Sequence, residues 1–293
     1  MSKKENTLKT ISSNLNSFSR RHIGIDQKVS AEMLKDIGFS KMDDFIQSIV
    51  PKNIYSPESL SVSSELSEEE ALRYIEEISK KNKVYKTYIG QGFYNSVTPA
   101  PILRNIFENP GWYTSYTPYQ PEIAQGRLEA LINYQTMICD LTGMEIANAS
   151  LLDEPTAAAE AMMLAKRQSK SKANLFIVDE QCLPQTINVL ETRAKPLGIE
   201  IKIGDPQKMQ DEEYFAALVQ YPGVDGVIRD FSDLVASSHK NEALVIFAAD
   251  ILALTLIKPP GEFGADIVIG SSQRFGVPIG FGGPHAAFMA TKE

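Results

Sequence analysis

Three groups of residues in this 293-residue chain could do chemistry, and each follows or precedes a regular element. Asp250 directly follows the apolar run at residues 243–249. A carboxylate there either accepts hydrogen bonds from loop N–H groups or keeps the ring nitrogen of a pyridine cofactor protonated, making the ring an electron sink. Asp153-Glu-Pro-Thr156 opens a helix of small residues over 157–166. Free N–H groups and a hydroxyl at a helix start can hold a phosphate. The competing reading makes Asp153 the N-cap, with Pro155 in the first turn. Two carboxylates beside a phosphate would also repel it. The third group is Gly270-Ser-Ser-Gln-Arg-Phe-Gly-Val-Pro278, after the run at 265–269. Its polar centre is Gln273 and Arg274. Neither forms an imine, because an amide lacks a nucleophilic amine and a guanidinium stays protonated. Lys258 precedes Pro259-Pro260-Gly261 and reads as a surface charge in a turn.

These groups need a sheet to hold them, because ligands of open α/β sheets sit beyond the carboxyl ends of the strands. From Asn174 onward the pattern alternates. Strands are expected at 175–178, 199–203, 224–228, 243–249 and 265–269, and helices at 185–197, 211–220 and 231–239. Strands apolar on both faces, separated by helices, predict a mostly parallel sheet with helical cover. Upstream, two short helices within 25–56 are separated at Gly38 and ended by Pro51. Ser67-Glu-Glu-Glu70 is a capping box for a helix that carries Leu72, Ile75 and Ile78 on one side. Residues 84–120 form a long irregular stretch, and such stretches in compact domains are usually functional.

Residues 108–143 hold the only Trp, Trp112, and four of the eleven Tyr, Tyr113, Tyr116, Tyr119 and Tyr134. The first half, rich in Pro, Gly and aromatics, is an ordered loop. The second half is helical, with Leu128, Leu131, Ile132, Ile138 and Leu141 near one face and Gly143 as a left-handed stop. A rigid aromatic loop lines a cavity or an interface, or simply packs as core. The short cluster Gly280-Phe-Gly-Gly283 reads as tight turns rather than a phosphate loop.

The formal net charge of −8 offers no footprint for nucleic acid or an anionic membrane surface. No apolar run approaches the roughly 20 residues needed to span a bilayer. Cys139 and Cys182 lack CxxC spacing, and His22, His239 and His285 share no ligand spacing, so a disulfide or a zinc site is not expected. The basic, Ser-rich start has an early Glu5 and no Arg-rich amphipathic repeat. That favours a cytoplasmic protein, with the mitochondrial matrix as the alternative.

Several long segments carry a resemblance. Phe-Ser-Arg-Arg-His-Ile-Gly (18–24), Ile-Gly-Gln-Gly-Phe-Tyr-Asn-Ser-Val-Thr-Pro-Ala-Pro-Ile-Leu-Arg-Asn-Ile (89–106), the aromatic loop and helix from Glu108, Asn148 to Met162, and Lys258 to Thr291 resemble the glycine decarboxylase P-protein family of the glycine cleavage system. The resemblance implies a fold-type-I, pyridoxal-phosphate (PLP) transferase-like α/β domain, mostly parallel, with helices on both faces and an N-terminal helical arm. It implies that glycine is decarboxylated on PLP and its aminomethyl group passed to the lipoyl arm of the H-protein. The family's catalytic half carries His-Lys-Thr-Phe-Cys-Ile-Pro. Aligned on Phe275 and Pro278, its lysine falls on Gln273.

The chain therefore resembles the non-catalytic N-terminal half. Thr156, Asp250, Ser272 and Gln273 are expected as a vestigial cofactor site, with no catalytic residue. Trp112, Tyr113, Tyr116 and Tyr119 are expected at an interface with the catalytic half or a second subunit. The expected organisation is a disordered lead-in over 1–17, a helical arm and aromatic loop over 18–120, and a truncated large domain over 121–293. An independent PLP aminotransferase or desulfurase, or a non-enzymatic scaffold, are the alternatives. The visible absorbance of a lysine-bound cofactor, abolished by one Lys substitution, would mark an independent enzyme.

Overall fold

The computed structural model describes residues 18–58 and 60–293, so the expected lead-in lies outside the described residues. The chain forms two compact units, one ending at Lys86 and the other running from Thr87 to Glu293. In the first, α1 (Gln27–Asp36) starts at Asp26, whose carboxylate accepts from the Val29 N–H at 2.9 Å. After α2 (Met42–Ile49), α3 (Glu68–Ser79) opens on the expected capping box. Glu70 accepts from the Ser67 N–H at 2.8 Å, and the Ser67 hydroxyl accepts from the Glu70 N–H at 3.3 Å.

The second unit is built on a seven-stranded sheet. Its strands are β1 (Ile146–Ala147), β2 (Leu175–Asp179), β3 (Glu200–Gly204), β4 (Ala216–Tyr221), β5 (Leu244–Ala249), β6 (Ile267–Ser271) and β7 (Ala287–Thr291). They lie in the order β1-β7-β6-β5-β4-β2-β3. Strands β2 to β6 pair in parallel, while β7 runs antiparallel to both β6 and β1. One face packs against α5 (Glu154–Gln168) and α6 (Pro184–Ala194). The other packs against α4 (Gln125–Thr142) and α7 (Ser232–Lys240). In α5, Ala157, Ala158, Ala161 and Ala165 are fully buried. Their small side chains let the helix lie close on the sheet, so its first turn reaches the strand ends. As expected, α4 stops at Gly143, where φ is 69°. Ile132, however, points to solvent.

The largest correction concerns residues 211–228. The stretch expected as a helix over 211–220 holds all of β4 but its last residue, and the stretch expected as a strand over 224–228 is loop. Phe-Ala-Ala-Leu-Val, followed by Gln-Tyr, is a short apolar run of a length at which period alone cannot separate buried strand from buried helix. Glu212-Glu213 ahead of it imitates a helical first turn. Pairing decides: Ala216 to Tyr221 are registered one to one on Leu244 to Ala249, and β2 occupies the other edge. The antiparallel strands β1 and β7 were not expected either.

Residues 87–120 fall in the sheet-bearing unit, which differs from the boundary expected at 120. The stretch is held there by polar contacts. The Ser96 hydroxyl donates to Val277 O at 2.7 Å, Thr98 donates to Gly276 O, and the Gln185 amide donates to Gln91 O at 2.8 Å. It contains short helical turns at Ala100–Ile102, Leu103–Phe107 and Pro110–Tyr113. Among the described residues no helix is long and apolar enough to cross a membrane.

Candidate functional site

A cavity of about 220 Å³ opens beyond the carboxyl ends of β4, β5 and β6. The strands bring Gln220, Asp250, Ser271, Gln273 and Arg274 to it, and the first turn of α5 brings Glu154. Gly92 and Tyr94 come from the irregular stretch, and residues 222–226 form a rim. The chain enters that rim through a cis Tyr221–Pro222 peptide. Gly270 lets β6 approach β5 here, because a Cβ on it would lie 2.3 Å from Ala249 O and 2.7 Å from the Phe288 ring.

Gln273 is 1% exposed. Its amide nitrogen donates to Val277 O at 2.6 Å, with longer contacts to the Ser96 hydroxyl and Tyr94 O. Asp250 forms a two-pronged ion pair with Arg274, Nε to Oδ1 at 3.1 Å and Nη2 to Oδ2 at 3.3 Å. It also accepts from the Leu252 N–H at 3.1 Å. The guanidinium of Arg274 lies 4.7 Å from the centre of the Tyr94 ring, a cation–π distance. Ser272 turns away: its hydroxyl donates to Ala286 O at 2.6 Å and fastens the loop to the start of β7. Thr156 is engaged as well. Its N–H donates to Asp153 Oδ1 at 2.9 Å and its hydroxyl to the same oxygen at 2.6 Å. The capping reading of Asp153 is the one the geometry carries, with Pro155 in the first turn.

Two polar residues at this site have roles that were not expected: Glu154 was read only as a carboxylate that repels phosphate, and Gln220 was not singled out. Glu154 turns a carboxyl oxygen, Oε1, out of reach of solvent and of any protein partner. Burial first, then the charge of Asp250, pushes this carboxyl up to about 7, with Asp153 adding to the rise and a hydrogen bond from Gln220 opposing it. Gln220 was hidden by the mistaken helix. Read as the end of an apolar strand, it would have stood at a ligand-facing position. Its N–H donates at 3.3 Å to Asp179, which also accepts from the Gln181 N–H, so Asp179 ties the ends of β2 and β4 together. Burial raises the Asp179 carboxyl above the usual range.

The residues present do not fit a Schiff-base cofactor. Among the described residues no lysine lines the cavity. Lys258 lies over the Phe263 ring at 4.2 Å, as part of the exposed surface. The carboxylate that would pair with a pyridinium is paired with Arg274, and the helix start that would hold a phosphate is closed by its own cap. Nor, among the described residues, is there a group of three metal-ligating side chains.

A parallel sheet covered by helices on both faces, with a polar cavity at the strand ends, defines an α/β domain of the fold-type-I transferase kind. The glycine cleavage system P-protein family model matches residues 20–293, and the chain belongs to that family. It is 58% identical over 280 residues to a glycine dehydrogenase (decarboxylating) of Nostoc sp., covering 95% of this chain and 28% of that protein. It is 57% identical over 275 residues to the corresponding protein of Cereibacter sphaeroides, covering 94% and 29%. The chain thus spans under a third of the length of the curated relatives it matches. It is also similar to the crystal structure of a glycine decarboxylase (P-protein) in inhibitor-bound form, with a TM-score of 0.83 and 34% identity, over 93% of this chain and 63% of that one.

Proposed function

We propose that this chain is part of the non-catalytic N-terminal half of a glycine-decarboxylating P-protein, and that it supports a catalytic half in which the chemistry occurs. One observation carries the reading: a buried amide, Gln273, stands after β6 where the family's lysine aligns, with its nitrogen committed to Val277 O. In the complete enzyme PLP would supply the electron sink for loss of CO2 from glycine, and the aminomethyl group would pass to the lipoyl arm of the H-protein. This chain's contribution is a scaffold and an interface. The compartment proposed is the cytoplasm, the mitochondrial matrix being the alternative; the relatives reported above are bacterial.

The interface proposed is the aromatic loop. Trp112 is 41% exposed, Tyr113 65%, Tyr116 82% and Tyr119 77%. These rings are therefore not a core beneath a loop. The backbone beneath them is nonetheless held: Asn109 accepts from the Gly111 N–H at 2.9 Å, and Arg127 donates to Trp112 O at 3.1 Å. Pre-shaped, exposed aromatics lose little conformational entropy on docking and are common interface anchors.

The test is glycine–bicarbonate carbon exchange with PLP and H-protein present, using this chain alone, the catalytic half alone, and the two together. Activity only in the mixture, or markedly raised in it, is expected. Turnover by this chain alone would refute the proposal.

A further inference from the structure

One wall of the cavity at the strand ends is carried by residues 90–98 rather than by the sheet, through Gly92 and Tyr94. This segment begins with three consecutive residues in the left-handed region, Gly90 at φ 63°, Gln91 at 53° and Gly92 at 87°. Neither helix nor strand continues through such a run, and a glutamine adopts it only at a cost. The far end is Pro99, which caps the helical turn at Ala100–Ile102. Among the described residues, the backbone of 90–98 makes one backbone hydrogen bond, from Phe93 N–H to Gly90 O at 2.9 Å. That bond is internal, so no ladder joins the segment to the sheet.

Side chains hold it instead. From the start of α6, Gln185 Nε2 donates to Gln91 O at 2.8 Å. The Phe93 ring meets the His285 ring edge-on at 5.5 Å, and the Tyr94 ring carries the Arg274 guanidinium. The Ser96 hydroxyl donates to Val277 O at 2.7 Å, and that of Thr98 to Gly276 O. Gln273 gathers these contacts. Its Nε2 donates to the same Val277 O at 2.6 Å and lies 3.4 Å from the Ser96 hydroxyl and 3.5 Å from Tyr94 O. Two glycines let the surfaces meet: a Cβ on Gly92 would lie 3.0 Å from Leu183 Cδ1, and one on Gly276 3.2 Å from Val97 O. The segment is closely seated, yet Ile89 and Val97 are exposed and a few side-chain contacts do the holding. Such segments open at a lower free energy than the sheet they cover.

We propose that residues 90–98 are a hinged strap that gates this cavity. It turns about 90–92 and Pro99, and Gln273 with Ser96 and Val277 O is its latch. Opening removes Gly92 and Tyr94 from the wall, lifts the ring from the guanidinium and admits solvent to Ser271 and Arg274. Gating of the chain's own cavity goes beyond the scaffold role proposed above. One hydrogen bond shifts an opening equilibrium roughly two- to tenfold, so removing two should shift it about tenfold or more.

The experiment is chymotrypsin cleavage of the full chain, at a protease concentration low enough that the cutting rate tracks the open population. First cuts are located by mass spectrometry. Tyr85 and Tyr88 are exposed and precede the strap, so cuts after them are the internal reference. Cuts after Phe93 and Tyr94 report opening, and in the natural chain should be at least about tenfold slower than cuts after Tyr88. Ser96→Ala with Thr98→Val removes two donors and should raise the ratio of strap to reference cuts about tenfold. Gln273→Met should raise it as well; if that variant does not fold, the hydroxyl variant still decides. Access is read separately with Ser271→Cys in a Cys139→Ala background, Cys182 being buried. Its reaction with a maleimide should quicken about tenfold when the two hydroxyls are removed, in step with the cuts. Cleavage after Phe93 and Tyr94 as fast as after Tyr88 in the natural chain, or an unchanged ratio in the hydroxyl variant, would overturn the proposal. So would a thiol rate that does not follow the ratio, or equal acceleration of cuts after Phe247 in β5, which marks global unfolding.

Discussion

Replacing Glu154 by Gln is expected to remove a pH-dependent penalty from the sheet-bearing unit. The buried carboxyl oxygen has no partner within the protein, and its neighbour Asp250 adds repulsion, so the group is raised from its ordinary 4.5 to about 7. At about 1.4 kcal/mol per pH unit, that difference corresponds to roughly 3 kcal/mol. The sign follows from which state binds the proton more tightly. Here the folded chain does, so the favourable effect of protonation is complete below pH 4.5 and is lost as pH rises towards 7. Above that, folding carries the full cost of a buried charge. Gln cannot ionise. Relative to the natural chain, Glu154→Gln should therefore gain little at pH 4.5 and on the order of 3 kcal/mol at pH 8. Urea unfolding followed by circular dichroism, run on both proteins across this range, measures the difference. Subtracting one from the other cancels the titrating groups that do not interact with position 154. A difference that stays flat from pH 4.5 to 8, or a variant less stable at pH 8, would refute the reasoning.

Further outcomes follow from the same site and its support. Gln273→Lys is expected to give at most weak, borohydride-trappable labelling by PLP and no glycine turnover, because Arg274 still neutralises Asp250 and the start of α5 is capped; a stoichiometric visible band that responds to glycine would contradict this. Arg274→Met leaves the partly buried Asp250 carboxylate unpaired and should cost about 1–3 kcal/mol in urea unfolding, less than a fully buried pair would, since solvent reaches both partners. Gly270→Ala forces a Cβ to within 2.3 Å of Ala249 O and should destabilise by about 1–3 kcal/mol, visible as a lowered melting temperature. Trp112→Ala should weaken assembly with the catalytic half by more than about 1 kcal/mol in a sedimentation or calorimetric titration, with little change in the stability of the chain itself.

What was legible in the sequence was local. The Ser67–Glu70 box and the αL stop at Gly143 each announce themselves within a few residues, through capping and turn chemistry. The run containing β4 carries no such mark. Its identity as a strand depends on two neighbours that pair with it, one of them around 28 residues further along. The apolar runs put Asp250 and the group around Gln273 just after strands, as found, yet they did not disclose their partners. Arg274 reaches Asp250 across 24 residues, and the Gln273 amide approaches Tyr94 O across 179. Glu154 was visible only as a charge that would repel phosphate. That its carboxyl oxygen lacks a partner is a property of packing, which no spacing records.

The clasp between Arg274 and Asp250, backed by Tyr94, also bears on what a single substitution at position 273 can do. A planar cation held by a carboxylate and laid on an aromatic ring reproduces, from the chain's own side chains, the charge pattern that a protonated pyridine would bring. A lysine placed at position 273 would meet that substitute already in place, and removing the substitute alone would leave the Asp250 carboxylate beside Glu154 without a counter-charge. The two positions are therefore expected to be coupled: a double-mutant cycle between positions 273 and 274 should depart from additivity.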